Sequence, residues 1–260
     1  MNRLIVLFSL LFAMVITFTG CKEDTSTDPG DTAISPVGYM PTQTGNYYVY
    51  SIDTVGSVPT FSLGERRTGF AGKQTKKGTE YITQADTTVL GGFATFSQSF
   101  IRATENGVYY YVDTTGLGDV LPDSLKSFLT IDPEVVLLSK PVNVGRTWTA
   151  FRLVFFNIAV IDMQALYAGE ETLTLNLNGK DESIKTLRVE YTLKVSVPAG
   201  FGLDSLNQTL KMNAWYADKI GIVKLNGDSG IINFLTGAGI DLETESYKIL
   251  YTLRSYALKP

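Results

Sequence analysis

The chain of 260 residues holds few groups able to do chemistry: one cysteine, Cys21, and no histidine. Without an imidazole there is no Ser-His-Asp or Cys-His nucleophile, and the usual zinc set is missing too. No Ser-x-x-Lys occurs, so a lysine-assisted serine lacks its motif. Gly72-Lys73-Gln74 and Gly179-Lys180-Asp181 lack the hydroxyl and the upstream glycine of a phosphate loop. Asn226-Gly227-Asp228-Ser229-Gly230 has a serine but no base to activate it. Its Asn-Gly start predicts a hairpin turn between the runs IGIVKL and GIINFL. Carboxylates remain, and a glycosidase needs two of them about 5–10 Å apart across a cleft. With 26 acidic residues some pair meets that distance by chance, so none is nominated. Glu170-Glu171, Asp181-Glu182 and Glu243-x-Glu245 read as turn or strand-edge charges, and Asp113, Asp119 and Asp123 do not have calcium-loop spacing. The chain therefore reads as non-enzymatic, with no catalytic residue, no metal ligand and no cofactor; a carbohydrate-active enzyme using paired carboxylates is the last-ranked alternative.

The elements that would position any site are strands. In KTLRVEYTLKVSV (185–197), Leu187, Val189, Tyr191, Leu193, Val195 and Val197 share one parity, opposite a polar set. Such alternation predicts a long strand with one buried and one wet face. TLTLNLN (172–178) repeats it, and the polar stretch Gly179 to Ser183 is expected to return the chain antiparallel. Further strands are expected at 47–53, 81–89, 93–101, 107–113, 209–216 and 247–253. One segment differs: in GDVLPDSLKSFL (118–129) the apolar residues fall on a helical stripe, predicting a short amphipathic helix. Tyr and Phe number 14 each, and several Tyr lie on both faces of their strands. They would stack on sugars if wet, or simply suit strands. PTQTGNYYVYS (41–51) and PVNVGRTWTAF (141–151) align without gaps, Pro41 with Pro141, Gly45 with Gly145 and Tyr48 with Trp148. Either a duplication or a turn-plus-strand motif used twice explains that echo.

The first residues divide into a basic start ending at Arg3, a charge-free apolar run from Leu4 to Phe18, and the small residues Thr19-Gly20 before Cys21. A spanning helix needs about 20 apolar residues, so this run has the layout of a secretory signal. Thr19-Gly20-Cys21 resembles the lipobox of bacterial lipoproteins, with Phe18 where leucine is usual; the resemblance implies lipidation of Cys21. Residues 1–20 then form the signal peptide, 21–37 the lipidated cysteine with a flexible Asp/Thr/Ser/Pro-rich tether, and 38–260 one antiparallel β domain. The run Lys22-Glu23-Asp24 is similar to the Lys-acidic-acidic export signal of Bacteroidetes-like lipoproteins, which implies the outer cell surface; a solvated tether is the plainer reading. Removing 1–20 removes only Arg3 among charged residues, leaving 21 basic against 26 acidic residues, a net −5 with no basic cluster for nucleic acid.

WYADKIGIVK (215–224) resembles the closing string of a group of uncharacterised bacterial lipoproteins, through Trp215, Tyr216, Gly221 and Lys224. Pro41, Gly45, Asn46, Tyr48 and Tyr50 match that group's early Pro-x-x-x-Gly-Asn string, echoed by Trp148, and 197–201 match a Val-Pro-Ala-Gly element in part. Asp218-Lys219 departs from the glycine-containing turn found there. The resemblance implies a large curved antiparallel sheet, a half-barrel similar to LolA-like and LppX-like carriers, with one short helix; a β-sandwich is the alternative. It carries over no catalytic residue; with the missing catalytic motifs and the one-sided apolar strands, the expectation is a non-catalytic lipoprotein, anchored to the outer membrane of a bacterial envelope through Cys21. Such a protein would hold an apolar or amphipathic ligand or a partner protein, or serve as a structural or assembly lipoprotein.

Overall fold

The computed structural model describes residues 35–56, 61–113, 127–197, 206–236 and 247–259. After a 3-10 turn (Pro36–Tyr39) come β1 (Tyr47–Thr54), β2 (Ser62–Lys76), β3 (Thr79–Leu90), β4 (Phe93–Thr104) and β5 (Gly107–Tyr111). Then follow β6 (Leu129–Ile131), β7 (Glu134–Ser139), β8 (Thr147–Phe155), β9 (Ile158–Leu177) and β10 (Lys180–Val197). The chain ends in β11 (Leu206–Ala217), β12 (Gly221–Asp228), a helix α1 (Ser229–Leu235) and β13 (Lys248–Ala257). All thirteen strands form one antiparallel, curled sheet in the order β6-β8-β9-β10-β11-β12-β13-β1-β2-β3-β4-β5-β7, a half-barrel rather than a sandwich.

The strict alternation in β10 forms as its pattern dictates: Leu187, Val189, Tyr191, Leu193 and Val195 are buried. The connection to β9 is tighter than expected. Asn178 (φ 51°) and Gly179 (φ 82°) make a two-residue turn, with Leu177 facing Lys180, so 180–183 belong to the strand. Positive φ at both positions matches the twist of the flanking strands, which is why Asn-Gly closes hairpins. Farther along, Arg188 faces Gly169 while Val189 faces Tyr167, so Ala168 is bulged out. A one-residue slip exchanges the two faces. Beyond it Ile184, Leu175 and Leu177 are the buried residues, and Asn178 N–H donates to the Arg254 carbonyl of β13 at 2.9 Å.

Two expectations are corrected. Asn226-Gly227 is not a turn: both residues continue β12, facing Asn213 and Met212 of β11 and Leu250 and Ile249 of β13. Gly227 is there because a Cβ would stand 2.4 Å from the Lys211 carbonyl and from Met212 Cα. The run GIINFL is then helix α1, not a strand. It turns onto the sheet, buries Ile231 and Ile232, and sets Phe234 against Phe151 with ring centres 5.4 Å apart. The helix expected over 118–129 falls mostly outside the described residues, and its end, Leu129, starts β6.

The two edges of the sheet come from consecutive strands. β6 pairs with Leu153–Phe155 of β8, β7 pairs with β5, and only Asp132 and Pro133 lie between. The curl therefore brings the edges together, and side chains bond across the seam to the main chain of β7. Trp148 Nε1 donates to the Val136 carbonyl (2.9 Å) and Tyr191 Oη to that of Leu137 (2.6 Å). Tyr167 Oη both donates to the Ser139 carbonyl (2.7 Å) and accepts from its N–H (3.0 Å). Arg146 Nη1 adds a bond to the same carbonyl at 2.8 Å. Each buried carbonyl left unmet would cost about 1–3 kcal/mol.

Candidate functional site

A ligand carried by a curled sheet sits on its concave face, so that face is where a site would be. Its aliphatic half is packed by α1 and by Leu, Ile and Val from β9 to β13. The half built from β1 to β4 is polar. Tyr48, Tyr50 and Ile52 of β1 face Thr68, Arg66 and Gly64 of β2, and Thr68 in turn faces Asp86 of β3. Arg66 and Asp86 are both buried. Arg66 Nε donates to Asp86 Oδ1 at 3.0 Å, and Nη2 lies 2.8 Å from Oδ2. Thr68 Oγ1 (2.6 Å) and Gln84 Nε2 (2.7 Å) also donate to this carboxylate. Arg66 Nη2 reaches the carbonyl of Thr236 at 3.3 Å, at the C-terminal end of α1. A cation there satisfies an orphan carbonyl and complements the helix dipole. Burial alone would lower the Arg66 pKa; Asp86 outweighs it and the net shift is upward.

Beside this cluster lies a cavity of about 40 Å³, lined among others by Met40, Tyr50, Arg66, Thr68, Gln84 and Tyr251. It has room for a few water molecules, where drug-sized ligand pockets run to about 300–1,000 Å³. Among the described residues, side chains of the core cluster occupy much of the concave face.

The tyrosines are explained by the same packing. Tyr48, Tyr50, Tyr81, Tyr110, Tyr111, Tyr167, Tyr191, Tyr216 and Tyr251 are all buried. Their hydroxyls find partners inside: Tyr50 Oη donates to the Ile222 carbonyl at 3.0 Å. Because Tyr191 gives its proton to Leu137, it accepts from Tyr216, 2.9 Å away. Desolvation pushes the hydroxyls of Tyr50, Tyr191 and Tyr216 well up, and those of Tyr110 and Tyr167 to about 12. They are not a sugar platform.

The carboxylate pairs sit as surface or structural charges. Glu170 bonds Lys185 at 2.6 Å, Glu171 accepts from Trp215 Nε1, and Asp181 accepts from Asn176 Nδ2 at 2.8 Å. Glu134 is held in a fork by Arg102 Nε and Nη2, both at 2.6 Å, and by Tyr81 Oη at 2.6 Å. Burial pushes its carboxyl up, but Arg102 and Tyr81 together hold it below the ordinary value. Among the described residues no group of His, Cys, Asp and Glu is arranged to hold a metal ion. Asp119, Asp123, Glu243 and Glu245 lie outside them, as do Cys21, Lys22, Glu23 and Asp24.

The remaining motif residues gather in two places. Pro41, Tyr48 and Gly221 meet at one end of the barrel: Tyr48 Oη donates to the Pro41 carbonyl at 3.4 Å, and a Cβ on Gly221 would touch Pro41 Cδ at 3.5 Å. There the 3-10 turn rests on the β11–β12 connection, with Lys219 N–H donating to the Gly38 carbonyl at 2.7 Å. Trp215 and Lys224 face each other across β11 and β12 on the other side of the sheet from Tyr216, the ammonium 4.7 Å from the ring centre. Gly45 and Gly145 head equivalent corners. Gly45 (φ 92°) N–H donates to the Phe70 carbonyl and Phe70 N–H to Asn46; Gly145 (φ 87°) does the same with Tyr167 and Arg146. Tyr48 and Trp148 then pack on Phe70 and Tyr167, with ring centres 6.0 and 4.5 Å apart. The echo in the sequence is thus one corner built twice. The polar cluster around Asp86 had no sequence signal beyond the interruption of apolar periodicity in β2.

No known protein-family pattern matches the chain, and no curated protein matches it. Among solved structures it is similar to a candidate lipoprotein from Parabacteroides distasonis (10% identity, 84% of this chain and 98% of that one, TM-score 0.46). A candidate exported protein with a YmcC-like fold from Bacteroides fragilis has 14% identity, the same coverages and the same TM-score. The hypothetical lipoprotein YmcC from Escherichia coli has 12% identity over 90% of this chain and 92% of its own, with TM-score 0.29.

Proposed function

We propose that this protein is a lipoprotein of the bacterial envelope, anchored to the outer membrane by acylated Cys21, that works without catalysis through contacts of its outer surface with other proteins. The observation that carries the reading is the small volume of the cavity lined by the polar cluster. A half-barrel carrier needs a cavity of several hundred Å³ for an acyl chain, and the cavity beside Arg66 has about 40 Å³. The missing histidine and the paired, structural carboxylates support the non-catalytic part. The apolar run followed by Thr19-Gly20-Cys21 supports the anchor.

Native mass spectrometry of the protein extracted from its own membrane tests both halves. The expected spectrum shows the chain beginning at Cys21 with added acyl mass and no further small molecule bound. Replacement Cys21→Ser is expected to move the protein into the soluble fraction. A lipid retained non-covalently at one per chain would overturn the surface-contact reading, and membrane retention of the Cys21→Ser chain would overturn the anchor.

A further inference from the structure

We infer that the N-terminal half of β4 is a self-association edge, along which two copies of this chain pair their β4 strands antiparallel. β4 is bonded to β3 along Phe93–Ile101, but β5 covers only Ile101–Thr104 on its other side. From Phe93 to Phe100 the outer edge has no strand partner among the described residues. Natural sheets blunt such edges with charge, proline or bulges. The sequence here, FATFSQSF, has none of them. Instead it holds the two most exposed large apolar residues described, Phe93 (81%) and Phe96 (78%).

Three observations favour a second copy as the occupant. First, a bilayer is a poor fit. Lipid would receive the rings but leave the row of edge N–H and C=O groups unsatisfied, whereas an added strand satisfies them. Secondly, the edge is self-complementary. Pairing about a twofold axis at Phe96 keeps the outer faces together and sets Phe96 against its own counterpart, an aromatic cross-strand pair. The uncharged strand brings no like charges together in a chain of net charge −4. Along this unbroken strand Phe93 and Phe96 point to opposite faces, so each Phe93 falls opposite Ser99 of the other copy and only the two Phe96 rings meet, burying at most roughly 300 Å². The rest of the ~1,200 Å² at which specific interfaces begin has to come from main chain, Phe93 and Gln98. Thirdly, the anchor allows it. Ser35, the first described residue, bonds Glu105 at 2.8 Å, beyond the far end of β4, so in two paired copies the described chains begin at opposite ends. The stretch of about 14 residues back to Cys21 spans up to ~50 Å, enough for both to reach one membrane plane. Self-pairing does not itself depend on acylation.

The test uses the full chain. In native membranes, Phe96→Cys with mild oxidant is expected to give a disulfide-linked homodimer, with none from the parent. In detergent, sedimentation equilibrium is expected to show a dimer for the parent. Phe96→Lys, and separately Gln98→Lys, should weaken that dimer at least tenfold while leaving the thermal midpoint unchanged. A parent that stays monomeric up to 100 µM overturns the proposal. So does a dimer indifferent to both lysines, or crosslinking of the Phe96→Cys chain to a different protein. Binding of the Cys21→Ser chain to phosphatidylethanolamine/phosphatidylglycerol vesicles that Phe96→Lys abolishes would reassign the edge to lipid.

Discussion

Replacing Asp86 by Asn keeps the size of the side chain and removes its charge, stranding the Arg66 guanidinium in the barrel. Breaking a buried pair by removing one partner costs about 3–5 kcal/mol. The environment here argues for that full range: both groups are buried, and the carboxylate also collects protons from Thr68 and Gln84. For a domain of this size each kcal/mol moves the thermal midpoint by about 2–4 °C, so a loss of roughly 10 °C is expected. Arg66→Met is expected to cost as much, and it also releases the Thr236 carbonyl that holds the end of α1. The double replacement Arg66→Met/Asp86→Leu removes both charges but leaves the Thr236 carbonyl, the Thr68 hydroxyl and the Gln84 amide without their partners, so it should still be destabilised, though by clearly less than the two singles added. The assay is a double-mutant cycle by urea unfolding, followed by far-ultraviolet circular dichroism and by the fluorescence of Trp148 and Trp215. A cost below 1 kcal/mol for Asp86→Asn, or a double variant as destabilised as the two singles added, would refute the reasoning.

Two further outcomes follow from the seam and from the outer face. Tyr191→Phe leaves the Leu137 carbonyl without its donor and the Tyr216 hydroxyl without its acceptor, and should cost about 1–3 kcal/mol, with faster hydrogen exchange confined to β7 and β8; a change under 0.5 kcal/mol would mean that this bond does not help hold the seam. Because Glu134 is held below its ordinary value of 4.5, its contribution is present above that pH and is lost as the pH falls through the depressed value. Glu134→Gln should therefore be less stable than the parent at neutral pH and converge on it at acid pH, measured by unfolding midpoints across pH 2–8; parallel curves would remove the carboxylate from the acid response.

What was legible in the sequence was burial on one face. β10 could be read because five apolar residues alternate with polar ones, and the physical cause of the pattern is the core they fill. β2 could not, because its inward positions are Arg66 and Thr68, whose burial depends on Asp86 arriving from another strand. The segment Ser229–Leu235 is a short apolar run, for which strand and helix are equally good readings. Helix wins because β12 ends at Asp228, whose carboxylate takes the Lys211 N–H (2.7 Å) and Lys248 (2.7 Å), and the chain turns inward there. The tyrosines were visible as residues that suit strands. Hydroxyl partners such as the Ile222 carbonyl for Tyr50 and the Leu137 carbonyl for Tyr191 lie on strands far away in sequence, and no local pattern encodes those. Phe93 and Phe96 lie in a run that reads simply as strand, and their exposure comes from β5 stopping short of them.

The pairing of β1 with β13 has a consequence for how the molecule is made. Tyr47 and Ala257 are register partners roughly 200 residues apart, and the ladder they begin joins the two meanders in the middle of the sheet. Local hairpins such as β9–β10 can zip early, but the middle of the sheet closes through a ladder between strands near opposite ends of the described chain, which makes assembly slow. Until then each meander presents a sticky inner surface and an unpaired border. Such exposed surfaces and unpaired strand borders are where an incompletely folded chain aggregates, so refolding yield should fall as chain concentration rises.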